Sequence, residues 1–203
     1  IIHAITTIVL LLGMFRIGRM FLDDDITTWM VIYGSLILLY LHTLGGCELY
    51  YNTLQSSNIA KAIGIWAIYF FQQKRVYLSF FLLALITYIQ LIVGLDTCMI
   101  LCAVLLLKKE YKTLLYSGGL YALLTGYYLF SIMHARAATQ AYDVEEYYQI
   151  LFEFRHPHHF LMAHFGIKNI AAFFIADAAA CYYFFKKNKD LFLFVIIVNI
   201  GII

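Results

Sequence analysis

Long apolar stretches separated by short polar knots organise the chain. Residues 1–20, 26–44, 59–71, 76–107, 113–133, 165–185 and 191 onwards are apolar, and charged or amide side chains gather between them. Several of these stretches reach the roughly 18 residues that a helix needs to cross a ~30 Å hydrocarbon core. They lack the alternation of an outer-membrane strand, and lipid offers backbone polar groups no partner, so each predicts a helix. Residues 76–107 are too many for one crossing, because a helix of that length measures ~48 Å at ~1.5 Å per residue. A hairpin turning at Gly94, Leu95 and Asp96 fits better, and its second arm, 97–107, is short for a full crossing. Segment 59–71 is also short and contains Lys61, which places its start in the interface. The expected fold is all-α: a polytopic transmembrane helical bundle of about seven to eight membrane segments, some short or re-entrant. One transmembrane domain is expected over 1–203, read as a fragment of a larger membrane protein because both Ile1 and Ile203 lie inside apolar runs.

Composition agrees and removes some partners. The chain is 64% hydrophobic, 18% aromatic and 13% charged, with a mean hydropathy of +0.82; soluble domains are roughly 45–50% apolar and 25% charged. A net charge of +2 without a Lys/Arg run gives nucleic acid nothing to hold. Cys47, Cys98, Cys102 and Cys181 read as small buried apolar residues; the 98/102 pair is one helical turn apart without the further ligands of a zinc site, and no metal site is assigned.

Basic residues set the orientation. With the hairpin accepted, Arg16/Arg19, Lys74/Arg75, Lys108/Lys109/Lys112 and Lys186/Lys187/Lys189 all fall on one side, which the positive-inside rule makes cytoplasmic. The other face then collects 45–58, 94–96 and the long polar loop 134–164, so Glu48 and Asp96 share a face with a histidine cluster. Asp23, Asp24 and Asp25 fall on the basic side and read as a solvated loop.

Within the long loop, Asp143 and Glu146 have the spacing of a capping box. Val144, Tyr147, Leu151 and Phe154 follow at helical spacing, which predicts a short amphipathic helix along the membrane surface. Pro157, the one proline of the chain, ends it and suits the first position of a new helix, whose free amides favour an anion. Arg155 precedes that start, and His158 and His159 fall in its first turn, beside His156. A guanidinium, imidazoles and a helix N-terminus together make a phosphate cradle at the depth of a lipid headgroup. The plainer reading is an interfacial loop in which Arg155 pairs with Glu153 or snorkels. A third is a metal site built from His156, His158, His159 and His164, although their spacing is not a zinc or di-iron signature. Glu48 follows Gly45 and Gly46, where bare backbone lets a carboxylate approach a ligand, and precedes Tyr50 and Tyr51; Tyr51 would stack on a sugar or sit in the aromatic belt. Asp177 lies mid-span, where ionisable groups are costly and usually functional; Lys168, nine residues away, is a poor partner.

The run Phe154, Arg155, His156, Pro157, His158, His159, Phe160 resembles the F-R-x-P-H-H motif of a family of large bacterial polytopic membrane proteins, and 46–51 and 91–95 resemble its weaker patterns in the same order. That family is similar to the GT-C glycosyltransferases, which take a sugar from a polyprenyl-phosphate carrier at the outer membrane surface. The resemblance implies a GT-C-like enzyme of the bacterial inner membrane, part of the cell envelope, with its histidine-rich loop on the non-cytoplasmic side. It implies Arg155, His156, His158, His159 and Tyr51 as phosphate and substrate contacts, with Glu48, or else Asp96, as the catalytic carboxylate. Partners would be membrane lipid, the polyprenyl-phosphate carrier and a sugar acceptor; no cofactor is assigned. Gln90 stands where the family pattern has a histidine. The rival expectations are a transporter or a structural subunit whose histidine-rich loop contacts another membrane subunit, and a histidine-ligated membrane metalloenzyme.

Overall fold

A computed structural model of the chain describes residues 1–42, 55–137, 144–150 and 167–202. Among them the secondary structure is entirely helical: α1 (Ile2–Gly18), α2 (Asp25–His42), α3 (Ser56–Gln72), α4 (Val76–Ile89), α5 (Leu91–Leu107), α6 (Tyr111–Ala137), α7 (Val144–Gln149), α8 (Ile167–Lys187) and α9 (Lys189–Ile202).

The expected hairpin exists, but its turn is not where glycine suggested. The helix breaks at Gln90, a single extended residue with φ −148° and ψ 97°, and Gly94 to Asp96 lie inside α5. Gly94 is there for contact: a Cβ at this position would sit 2.5 Å from the Thr87 amide nitrogen and 2.7 Å from its Cα. The missing side chain lets α5 lie against the last turns of α4, so the glycine tightens the hairpin four residues after the bend.

The other turns are closed by side chains and by strained lysines. Asp24 accepts hydrogen bonds from the amides of Ile26 (3.0 Å) and Thr27 (2.7 Å) and so caps α2. Hydrogen bonds from Thr27, then from Ile26, hold its carboxyl below the usual range, and Asp25 pairs with Arg19 at 2.9 Å. The three aspartates expected as a solvated loop thus include a cap and an ion pair, because the orphan amides of a helix start attract an acceptor. After α3, Lys74 takes φ 62°, with Lys74 N–H on Phe71 O and Arg75 N–H on Phe70 O. After α5, Lys109 takes φ 60°, with Lys109 N–H on Leu106 O and Glu110 N–H on Leu105 O. Both are Schellman closures with lysine in the left-handed position that usually belongs to glycine.

These turns meet. Asp190, at the start of α9, accepts from Lys74 at 2.6 Å and Lys108 at 3.0 Å, which brings the start of α4 and the end of α5 to one place. Asn188 donates to Gln72 at 3.2 Å, and Phe21, after α1, stacks edge-on with Phe184 at 5.4 Å. The four basic clusters expected on one side therefore share one end of the bundle, here called the basic end. At the opposite end Ser56 donates to Gln90 across 34 positions.

The core lies between α3, α4, α5 and α6, where Phe71, Phe80, Leu83, Ile86, Leu101, Val104 and Tyr121 are buried together. Thr87 and Tyr121 hydroxyls bond within it at 2.7 Å, and Tyr88 donates to Leu124 O at 2.6 Å. The Tyr88 and Tyr128 rings meet at 4.7 Å, tilted by 30°, so the last turns of α6 run on past the Gln90 bend. Helix α6 continues to Ala137, which makes His134 helical rather than part of the expected loop; its ring stacks on Phe130. The sides of the bundle are apolar and open: Leu123 is 82% and Tyr127 85% exposed on α6, and Ile5, Met30, Phe81, Met99 and Ile175 are exposed on five other helices.

Among the described residues, no helix is long and apolar enough to cross a membrane. Helices α1, α3 and α5 have 17 residues each, ~25 Å at ~1.5 Å per residue. The longer α8 carries Lys168, Asp177, Lys186 and Lys187.

Candidate functional site

Most of the residues expected to carry chemistry fall outside the described residues: Glu48, Tyr51, Arg155, His156, His158 and His159, together with the capping residue Asp143 and the Leu151 and Phe154 positions of the expected amphipathic helix. The described helix ends that border them are informative. Because α1, α3 and α5 end at the basic end and their partners start there, the end of α2, the starts of α3 and α8, and the end of α6 lie at the opposite one. The described part of the expected amphipathic helix, α7, has six residues, with Glu145, Glu146, Tyr148 and Gln149 exposed. Asp96 is exposed in the second turn of α5, about nine ångströms along the axis from the Gln90 bend at ~1.5 Å per residue. It is a helical residue and not a turn residue, because the bend came six positions earlier.

At the basic end the electrostatics are explicit. The Asp190 carboxylate is 12% and the Lys108 ammonium 16% exposed, and Lys108 also reaches Glu110 at 2.7 Å. Burial alone would discharge both groups. Lys74 and Lys108 outweigh it for Asp190, whose carboxyl sits below its ordinary range. Glu110 and Asp190 outweigh it for Lys108, whose ammonium is held above its own. One carboxylate between two ammonium groups ties three turns together, and its chemistry is that of a clamp.

Midway along α8 lies a polar contact that sequence reading missed. Asp177 accepts from the Asn199 side-chain amide at 2.9 and 2.8 Å, and the Cys181 thiol points at the same carboxylate from one turn away. A signal was present. Asp177 and Asn199 each stand eleven positions from Asn188, so a hairpin folding at Asn188 sets them level. Asn188 makes that fold by accepting from the Leu191 amide at 3.0 Å.

A fourth feature is a cleft of about 270 Å³ bordered by Leu10 and Met14 of α1, Leu36 of α2, Ile68 of α3 and Val93 of α5. Among the described residues that border it, Lys61 and Thr97 are the polar ones. Sequence reading placed Lys61 at the interface but gave it no pocket, since the wall comes from four helices.

Among the described residues no group of three His, Cys, Asp or Glu side chains is placed to hold a metal ion. Cys98 is buried, and Cys102 and Cys181 are half-buried, all with free thiols. Comparison with family models, with curated proteins and with solved structures finds no match for this chain.

Proposed function

We propose that the chain is a membrane-embedded helical protein whose end opposite the basic turns handles a sugar carried on a polyprenyl phosphate, in the manner of the GT-C-like enzymes it resembles. The observation that supports this most is the segregation of charge. Lysines and arginines of four separate turns gather at one end, and apolar side chains cover the flanks. Two of those lysines keep a left-handed backbone at a cost of roughly 1–2 kcal/mol each. A cationic side chain held at a glycine position argues that the charge itself is needed, as it is where basic turns fix membrane orientation. Helices of 17 residues fall a few ångströms short of the ~30 Å core, so the bilayer would thin around them. In the bacterial inner membrane the basic end would face the cytoplasm and the histidine-rich stretch the outside.

On this reading Arg155, His156, His158 and His159 grip the carrier phosphate, Tyr51 lies under the sugar, and Glu48 takes the proton of the incoming hydroxyl. Asp96, exposed near the same end, is the alternate base. The test is Glu48→Gln, which keeps shape and removes charge. General-base catalysis contributes about 10²- to 10⁴-fold, so turnover of a polyprenyl-phosphate sugar by purified protein should fall on that scale while carrier binding persists. Turnover within a few-fold of the unsubstituted protein removes Glu48 from this role.

A second reading, transport or a subunit role beside another membrane protein, draws on Asp177 and Asn199. An ionisable side chain at mid-helix among apolar residues is the usual mark of an ion or substrate path.

A further inference from the structure

The clamp at the basic end is neutral in itself, because the ammonium groups of Lys74 and Lys108 meet the carboxylates of Asp190 and Glu110. What remains at the same two turns is positive. Arg75, Lys109 and Lys112 are exposed, and among the described residues none of them contacts a carboxylate. They stand close to one level. Helices α4 and α6 lie side by side through Thr87 on Tyr121 and Tyr88 on Leu124 O. Twelve positions back from the first pair and thirteen back from the second, Arg75 falls beside Lys109 and Tyr111. The shared contact with Asp190 joins the same two turns from inside.

Apolar surface begins within one helical turn of these cations. Tyr77 follows Arg75 in α4, Leu106 and Leu107 precede Lys109, and Tyr111 and Leu115 flank Lys112 in α6; all five are more than half exposed. An acidic protein or a nucleic acid would use the charge and leave this apolar rim in water. A phospholipid uses both at once, since its phosphate meets the cations and its chains run down the flank directly beneath. Tyrosines at the boundary between charge and hydrocarbon suit that depth.

We infer that the ridge formed by the α3–α4 and α5–α6 turns binds the headgroup of an anionic phospholipid from the leaflet at the basic end, its phosphate meeting Arg75, Lys109 and Lys112. The inference rests on the membrane reading and is independent of glycosyl transfer. It gives Lys109, left-handed at φ 60°, a task that glycine could not perform. The Asp190 clamp fixes the spacing of the two turns, so the cations are in place before the lipid arrives. Arg75 offers a planar fork to two phosphate oxygens, and the lysines offer point charges. A bound lipid raises the stability of the folded protein by mass action.

The experiment compares delipidated protein in vesicles of phosphatidylcholine alone and in vesicles containing phosphatidylglycerol, reading the midpoint of thermal unfolding. The unsubstituted protein should melt higher in the anionic vesicles, by about 2–4 °C for each cation engaged. The triple variant Arg75→Gln, Lys109→Gln, Lys112→Gln should erase that gain while melting normally in phosphatidylcholine. The double variant Arg16→Gln, Lys186→Gln, which removes two cations of the same end from α1 and α8, should keep it. A gain that persists in the triple variant overturns the assignment. So does a gain that the double variant loses equally, because any basic turn would then serve. If inorganic phosphate added to the phosphatidylcholine vesicles reproduces the gain, the cations hold a free anion and the lipid is overturned. Should the triple variant not fold, Arg75→Gln and Lys112→Gln decide singly: each should shrink the gain, and an undiminished gain in both overturns the site. Failure of the unsubstituted protein to float with either vesicle overturns the membrane reading, whereas flotation without a gain that depends on these three cations overturns the lipid site alone.

Discussion

Lys109 stands at φ 60° and, among the described residues, has no carboxylate contact of the kind that holds Lys108. Its left-handed backbone disfavours an L side chain by roughly 1–2 kcal/mol, part of which glycine gives back in the unfolded chain. Lys109→Gly should therefore raise stability by about 1 kcal/mol, or about 2–4 °C for a chain of this size, read by thermal unfolding in detergent. A drop in the midpoint would mean that the side chain contributes more than its backbone costs. Asp190 and Lys108 give a second residue-scale prediction through pH. The Asp190 carboxyl is depressed by its two ammonium partners against burial. Its contribution is present above the ordinary carboxylate range and is lost as pH falls through the lowered folded value. Lys108 is raised, so its contribution is complete below the ordinary lysine range and is lost as pH rises through its higher folded value. The clamp should be indifferent to pH between roughly 5 and 9, and Asp190→Asn should flatten the acid limb of the stability profile. An unchanged acid limb would show that other carboxylates set it.

At the scale of elements, the glycines divide into those that a neighbouring helix needs and those that nothing touches. Gly94 faces the Thr87 backbone, which cannot swing aside as a side chain can, whereas a Cβ at Gly126 in α6 meets nothing within 4 Å. Overpacking a helix contact typically costs about 1–3 kcal/mol, and an open helical glycine costs about 1 kcal/mol relative to alanine. Gly94→Ala should destabilise on the first scale and Gly126→Ala should stabilise on the second, measured by the same unfolding assay. Equal and small effects would mean that α4 and α5 separate without penalty and that the Gln90 bend alone holds the hairpin. Hydrophobic patterning found this pair of helices but put the bend at the glycine, because glycine signals both turns and close approach, and only the neighbour distinguishes them.

For the whole molecule, the sharpest prediction is sidedness. Lys109 belongs to the basic end through Lys108 and Asp190, and Ser56 to the opposite one through Gln90. With Cys47, Cys98, Cys102 and Cys181 replaced by alanine, a cysteine at Ser56 should react with an impermeant maleimide added outside intact cells. A cysteine at Lys109 should react only after permeabilisation. Equal labelling of both before permeabilisation would invalidate a bundle that crosses the bilayer with its basic end inside.

The sequence by itself determined the helical class, the approximate extent of the segments and the common side of the basic clusters, because these depend on local hydrophobic period and on the parity of successive reversals. It also placed Asp177 at mid-helix. What required tertiary structure was every pairing that joins distant positions: Asp190 between Lys74 and Lys108, Asn199 on Asp177, and Lys61 in a cleft walled by α1, α2, α3 and α5. Each depends on which helix faces are turned toward one another. A periodic pattern says that a face is apolar, but the neighbour it meets is set by the packing of all the helices at once.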